Sequence, residues 1–302
     1  MFTLQNARPK ADGQTGALIQ NLKLDIPPGR NGLQPDLALQ YNSQKAEDSI
    51  VGYGWTVTIP YIQRLNKLGS QSVYNAPYFT SSIDGELATT SSATTTFAAK
   101  VDDGSFNAYS LVNNVWTMYD KHGTRYTFGA SDNAQQNASA SSTQIYTWML
   151  QEIRDQNNNY VRYVYAKDSG QIYPLAIYYS GNGSTDGIFK ISFSTSTRSD
   201  PYVSYKPLFK VTTNYRISNI KASINGATVR QYALTYGTGD NGVRSLLTSL
   251  QETGWDSNGA NAVTLPALTF SYVNDSNWFA ENGHGVKNGS YVIADVNGNS
   301  KK

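Results

Sequence analysis

Hydrophobic and polar residues alternate with a period of two along much of the chain. Leu37, Leu39 and Tyr41 fall on one side of such a segment, and the residues between them fall on the other. This period is typical of an extended strand with one buried and one solvated face, and we find no long segment with the 3.6-residue period of a helix. The sequence therefore predicts an all-β fold built from antiparallel hairpins. The other alternating segments are 55–61, 124–128, 189–193 and 268–272.

Turn residues stand where hairpins need them. Asn225-Gly226 separates the segments 217–224 and 228–236. This dipeptide is the strongest short-range hairpin signal, because a type I′ turn requires two positive φ angles. His122-Gly123 predicts a similar turn. Two segments rich in small polar residues, 88–99 and 131–143, are expected to be long surface loops.

Composition excludes several classes of function. The formal net charge of the 302 residues is +2, and no run of Lys or Arg is present, so the sequence offers no electrostatic footprint for nucleic acid. No stretch approaches 18 consecutive apolar residues, so we expect no membrane-spanning helix. The first residues lack the basic and apolar regions of a signal peptide. A secreted chain would then use another export route or be part of a longer protein.

Catalytic chemistry has few candidates. Cysteine is absent and only two histidines occur, which nearly excludes classical triads and His-rich metal sites. We interpret both histidines as solvated, and we expect the acidic pairs to face water or to brace a turn. The sequence therefore favours a protein that is not an enzyme. The histidines are His122 and His284, and the acidic pairs are Glu47-Asp48, Asp102-Asp103 and Glu152 with Asp155.

The segments 26–43 and 51–64 carry the most informative motif. A stiff Pro-Pro-Gly turn precedes a strand, and a Gly-rich turn precedes a second strand that starts on a Trp. We interpret the prolines as a rigid lead-in rather than a partner's polyproline ligand, and the Gly-rich turn as a device that aims the Trp into the core. The motif positions are Pro27, Pro28, Gly29, Arg30, Asn31, Gly32, Leu33, Pro35, Tyr41, Gly52, Gly54, Trp55 and Arg64.

This motif resembles the N-terminal region of the Salmonella virulence plasmid B proteins and of the B components of insecticidal toxin complexes. Two later segments, 115–129 and 148–165, resemble hairpins of the same family, and the second is also similar to the tyrosine/aspartate-rich repeats of Rhs proteins. Asn158 stands where Gly is usual, and Asn is the next best residue for a left-handed turn. The resemblance extends over roughly residues 15 to 275.

The resemblance implies large curved sheets of the Rhs-like shell or sandwich type and a non-catalytic structural role. B components of this family close with a C component into a hollow shell around a toxic segment, and their propeller docks on the pore-forming A component. The expected partners are therefore the remainder of a longer chain, a C component and an A component, in a secreted, extracellular assembly. The alternative is a surface adhesin or carbohydrate-binding module that uses the 22 Tyr as a contact face.

The C-terminal residues predict a second unit. We expect a family-type β domain over 1–281, followed over 282–302 by a linker and the truncated start of a propeller repeat similar to FG-GAP or VCBS repeats. Asp295, Asn297 and Asn299 have the spacing that opens a calcium loop, and the alternative is an Asn-Gly turn that joins two strands, as at Asn225-Gly226. No cofactor is expected for this chain, with Ca²⁺ a candidate only in a longer protein.

Overall fold

The predicted all-β class is confirmed. The computed structural model describes residues 8–45, 47–90, 94–139, 142–239, 244–256 and 259–272. The strands are antiparallel throughout these ranges. The helical content of the described residues is limited to three short 3-10 turns at Arg30–Gly32, Ser70–Ser72 and Asp132–Ala134.

A small sheet forms from the N-terminal segment. Its four strands follow one another in chain order, and β2 pairs with β3 from Ile19 opposite Asn42 to Lys23 opposite Ala38. Leu22 and Leu39 lie directly opposite each other, and both are fully buried. The strands are β1 (Lys10–Ala11), β2 (Leu18–Lys23), β3 (Ala38–Asn42) and β4 (Trp55–Val57).

The next strands close into an eight-stranded barrel. Strands β5 to β11 pair in sequence, β11 pairs with β13, and β13 returns to β5 with Trp148 opposite Ile62. Eight strands leave an interior that side chains just fill. The eight strands are β5 (Tyr61–Arg64), β6 (Phe79–Ser81), β7 (Gly85–Thr89), β8 (Thr96–Ala99), β9 (Ala108–Val112), β10 (Val115–Tyr119), β11 (Arg125–Phe128) and β13 (Ile145–Arg154). Strand β12 (Gln135–Asn137) lies between β11 and β13 in the chain and pairs with β13 beside the ring.

Four aromatic side chains fill the barrel. Phe79, Phe97, Trp116 and Trp148 are each no more than 2% exposed. Their ring centroids lie 4.9 to 6.2 Å apart, mostly edge to face, which is the arrangement that aromatic quadrupoles favour. Burial of these rings favours closure of the barrel, because it removes large apolar surfaces from water.

A large sheet continues from the barrel through a shared strand. Residues Glu152–Arg154 of β13 pair with Arg162–Tyr160 of β14, and each later strand pairs with the one before it up to β20. Asn225 and Gly226 have φ angles of 49° and 85°, as the predicted hairpin turn requires. The strands are β14 (Asn159–Asp168), β15 (Gln171–Asn182), β16 (Phe189–Ser204), β17 (Val211–Ile224), β18 (Ala227–Thr238), β19 (Ser245–Gly254), β20 (Val263–Thr264) and β21 (Leu268–Thr269).

Two expectations about strand limits are wrong. The segment 55–61 is not one strand, because β4 ends at Val57 and Pro60 precedes β5. The chain passes there from the small sheet to the barrel, so the fully buried residue is Ile62 and not Tyr61. The segment 88–99 is not a long loop, since its two ends belong to β7 and β8.

The segment 131–143 also contains more structure than predicted. It holds a 3-10 turn and β12, which pairs with β13. Ala134 is fully buried, and Asn137 is 3% exposed. The amide of Asn137 is held by Asp132 and Lys167, so its burial leaves no polar group without a partner.

Candidate functional site

The Pro-Pro-Gly turn of the N-terminal motif is fastened to the large sheet. Tyr179 donates its hydroxyl to the carbonyl of Pro27 at 2.8 Å, and the backbone N–H of Arg30 donates to Ser180 Oγ at 2.9 Å. A side chain at Gly29 would meet the carbonyl oxygen of Leu33 at 2.1 Å, so only glycine fits there. Arg30 thus helps to fasten the turn through its backbone.

The Gly-rich turn directs Trp55 inward. Gly54 has a φ angle of 75°, and a Cβ there would lie 2.7 Å from the Tyr41 ring. Trp55 is 2% exposed and packs 5.2 Å from Tyr41 and 4.9 Å from Phe270 between ring centroids. Its indole N–H donates to the Tyr272 hydroxyl at 2.8 Å. The turn therefore joins the small sheet to the end of the described chain.

Arg64, the last motif residue, joins loops to the barrel. Its Nε donates to the carbonyl of Ile145 at 2.8 Å, and its Nη1 donates to the carbonyls of Val73 and Ala76 at 3.2 and 3.4 Å. The guanidinium carbon lies 5.0 Å from the centroid of the Phe79 ring. Burial lowers the pKa of Arg64, yet an arginine remains charged at any physiological pH.

A buried charge cluster joins the loop after β3 to the large sheet. It consists of Arg198, Asp48 and Asp200, whose side chains are 0%, 3% and 8% exposed. The Nη2 of Arg198 donates to Asp48 at 2.7 Å and to Asp200 at 2.9 Å, and its Nη1 donates to the carbonyl of Ser49 at 2.8 Å. Ser245 on β19 donates its hydroxyl to Asp200 at 2.6 Å. The cluster thus ties three distant segments together.

The two carboxylates of the buried charge cluster differ in their environment. Burial raises the pKa of Asp48, and its single bond from Arg198 does not offset that effect. Burial alone would also raise the pKa of Asp200, but hydrogen bonds from Arg198 and Ser245 outweigh it and hold this pKa below its ordinary value. Asp200 is therefore the principal counter-ion of the guanidinium.

Glu152 and Asp155 have different structural tasks. Glu152 accepts bonds from Arg154 at 2.8 Å and from Arg125 at 3.0 Å, and the bond from Arg154 holds the pKa of Glu152 below its usual range. Asp155 braces the following turn, where its Oδ1 accepts the backbone N–H groups of residues 157 and 159 at 2.8 Å each. Asn158 in that turn has a φ angle of 62°.

Comparison with known proteins identifies the family. A family model described as the Salmonella virulence plasmid 65kDa B protein, SpvB, matches residues 12–109 and 103–182. Together these matches span more than half of the chain. The chain belongs to this family. This match confirms the resemblance seen in the N-terminal motif. No curated protein sequence matches the chain significantly.

Several solved structures share the fold of this SpvB-family chain. The crystal structure of TcdB2-TccC3 aligns with a TM-score of 0.75 and 19% identity over 89% of this chain and 17% of that chain. The Photorhabdus luminescens Tc holotoxin pore aligns with a TM-score of 0.74 and 19% identity over 87% of this chain and 16% of that chain. The N-terminal domain of the effector protein SpvB from Salmonella typhimurium strain LT2 aligns with a TM-score of 0.66 and 15% identity over 78% of this chain and 99% of that chain. This chain therefore spans about a sixth of the toxin-complex chains and nearly the whole SpvB domain.

The buried charge cluster is the feature of this family member that sequence reasoning missed. We expected Asp48 to face water, and this expectation is wrong, because its side chain is buried in an ion pair with Arg198. The pairing of β16 with β17 loses its register between Thr197 and Tyr202, and this irregularity accompanies the burial of Arg198. A single Arg within a strand rich in Ser and Thr was the one available signal.

Of the remaining motif residues, Pro35 and Gly52 are buried. The remaining histidine, acidic and calcium-loop candidates lie either on the surface or outside the described residues. His122 is exposed in its turn, where its backbone N–H donates to Asp120. Asp295, Asn297, Asn299 and His284 lie outside the described residues, as does the predicted boundary near 281. Within the described ranges, no three His, Asp or Glu side chains form a group suited to a metal ion. The same ranges contain no helix with the length and apolar character needed to cross a membrane.

Proposed function

We propose that this SpvB-family chain is a non-catalytic wall segment of a secreted bacterial toxin or Rhs-type protein, and that it helps to enclose or carry a C-terminal effector. Its partners are the remainder of a longer chain and, by analogy with the toxin complexes whose fold it shares, a C component and an A component. Family membership and the shared fold support this proposal.

The arrangement of the charged side chains supports this proposal. Arg64 binds backbone carbonyls, Arg198 binds two carboxylates from separate segments, and Glu152 binds two arginines on neighbouring strands. Each of these groups holds strands or loops together. An acid–base pair for catalysis instead needs groups that face a substrate with separated pKa values. The charges are therefore arranged to stiffen a wall.

Recovery of the tagged chain from the culture medium of its native bacterium tests this function. We expect it in a particle much larger than the chain itself, together with a polypeptide that contains Rhs repeats. The effector segment of that particle should resist protease until the particle is unfolded in urea, because an enclosing wall blocks access. An unrelated secreted β protein with the same tag serves as the control.

Two results would contradict the proposal. One is a tagged chain that leaves the cell but elutes alone. The other is an effector that protease digests equally fast in the intact and in the unfolded particle.

A further inference from the structure

A cleft of about 550 Å³ opens on the outer side of the barrel, beside the strand that leads into the large sheet. Its lining comes from β10, β11, β13, β14 and the turn after β11. Trp116 and Phe128 point into the barrel and are fully buried. Their neighbours Thr117 and Thr127 therefore face outward into this outer cleft, because successive strand residues point to opposite sides.

The floor of the outer cleft is a ladder of paired residues across four strands. Thr117 lies opposite Thr127, Thr127 lies opposite Glu152, and Glu152 lies opposite Arg162. All four belong to hydrogen-bonded strands, so the backbone positions from which their side chains project are fixed before any ligand arrives. A preformed polar floor of this kind keeps the entropic cost of binding low.

Each charged side chain of the outer cleft already has an ionic partner. Arg125 is paired with Glu152 at 3.0 Å, and Arg162 is paired with Asp186 through two bonds. Glu152 also holds Arg154. These three guanidinium groups share two carboxylates, so one positive charge is in excess, but an anionic ligand would have to displace a carboxylate that each guanidinium already holds. An apolar ligand would strip water from hydroxyl, amide and charged groups without replacing their hydrogen bonds.

Unused hydrogen-bonding capacity remains at this site. The side chain of Arg125 is 42% exposed, so part of its guanidinium is open to a ligand. Asn133 is an exposed amide on the rim. Tyr119, also on the rim, is 47% exposed and offers an aromatic surface. Donors, acceptors and an aromatic ring thus surround a volume within the range of roughly 300–1,000 Å³ that small-molecule sites occupy.

We propose that the outer cleft binds a neutral saccharide. The sugar hydroxyls exchange hydrogen bonds with Thr117, Thr127 and Arg125, and the apolar face of the sugar ring lies against Tyr119. Glu152 is the one carboxylate in the lining, and glycosidases of the usual kind require two. The site therefore binds a sugar without hydrolysing it. This inference is independent of the wall function, since a wall segment can exist with or without a surface sugar site.

A glycan array with the purified 302-residue chain tests the proposal. The array carries neutral oligosaccharides beside sialylated and sulfated ones, and calorimetry with the best neutral glycan measures its affinity. Tyr119→Ala should weaken binding by about tenfold or more, because an aromatic anchor is lost. Thr127→Val should weaken it as well, because a hydroxyl is replaced by a methyl group of similar size. Tyr205→Ala is the matched control, since Tyr205 is 64% exposed and lies outside the cleft.

Each outcome decides the proposal. Neutral-glycan binding that is lost in both cleft variants and kept in Tyr205→Ala supports it, provided that the thermal melts of the variants match that of the parent chain. No binding to any neutral glycan at millimolar concentration overturns it. Binding to charged glycans alone, or neutral-glycan binding that survives both cleft substitutions, overturns it as well.

Discussion

Replacement of Arg198 by methionine should be among the most damaging single changes in this chain. The guanidinium is fully buried and joins Asp48 and Asp200, which are themselves almost inaccessible to water. Methionine fills a similar volume but leaves both carboxylates without their cation. Breaking a buried ion pair from one side costs about 3–5 kcal/mol. For a chain of this size, such a loss should lower the melting temperature by about 5–8 °C.

Chemical denaturation of Arg198→Met beside Arg162→Met measures this effect. Arg162 also contacts an aspartate through two bonds, but its side chain and that of Asp186 are 39% and 38% exposed. The exposed pair should contribute no more than about 1 kcal/mol. If Arg198→Met costs no more free energy of unfolding than Arg162→Met, the reasoning about the buried charge cluster is refuted.

The two aspartates of the cluster should not respond equally. Because the pKa of Asp200 is lowered in the folded state, its ionised form stabilises the fold above its ordinary pKa, and Asp200→Asn should be destabilising at pH 7. The pKa of Asp48 is raised by burial, so folding opposes its ionisation and Asp48→Asn should cost less. Urea titrations of both variants at pH 7 compare them directly, and the reverse order would contradict the assignment of Asp200 as the principal counter-ion.

Two further predictions concern the motif and the outer face of the sheet. Gly54→Ala should lower the free energy of unfolding by about 2–4 kcal/mol, because it combines a left-handed backbone with a clash against Tyr41. Gly32→Ala is the control and should cost about 1 kcal/mol, because Gly32 has the same φ of 75° but open space around it. Equal losses of the two variants in thermal melts would exclude the clash. Glu152→Gln should destabilise the chain at neutral pH, because the bond from Arg154 lowers the pKa of Glu152 in the folded state. The difference in stability from the parent chain should shrink as the pH falls below 4.5, the ordinary pKa of a glutamate. A difference that stays constant from pH 7 to pH 3 in urea titrations would count against this.

The sequence was most informative where structure depends on neighbouring residues. Alternation identified the strands around Leu39 and Ile191, and Asn225-Gly226 marked a hairpin, because side-chain period and turn geometry are local properties. The N-terminal motif identified the family for a similar reason, since glycines at sterically closed positions such as Gly29 leave a recognisable pattern.

Long-range pairing was not accessible in the same way. No local pattern shows that Trp148 pairs with Ile62, so closure of the barrel went unseen. The ends of segment 88–99 were interpreted as a loop because Phe97 is the one large apolar residue in this segment. Their threonines are nevertheless β-branched residues, which suit strands. The burial of Arg198 depends on carboxylates from other parts of the chain, and single-sequence reasoning cannot align those segments.

Strand β13 makes hydrogen bonds to β5 in the barrel and to β14 in the large sheet along the same edge. Because one continuous strand belongs to both bodies, a tilt of one body relative to the other has to bend β13 itself. A shell assembled from such segments would open at the contacts between segments rather than inside one of them.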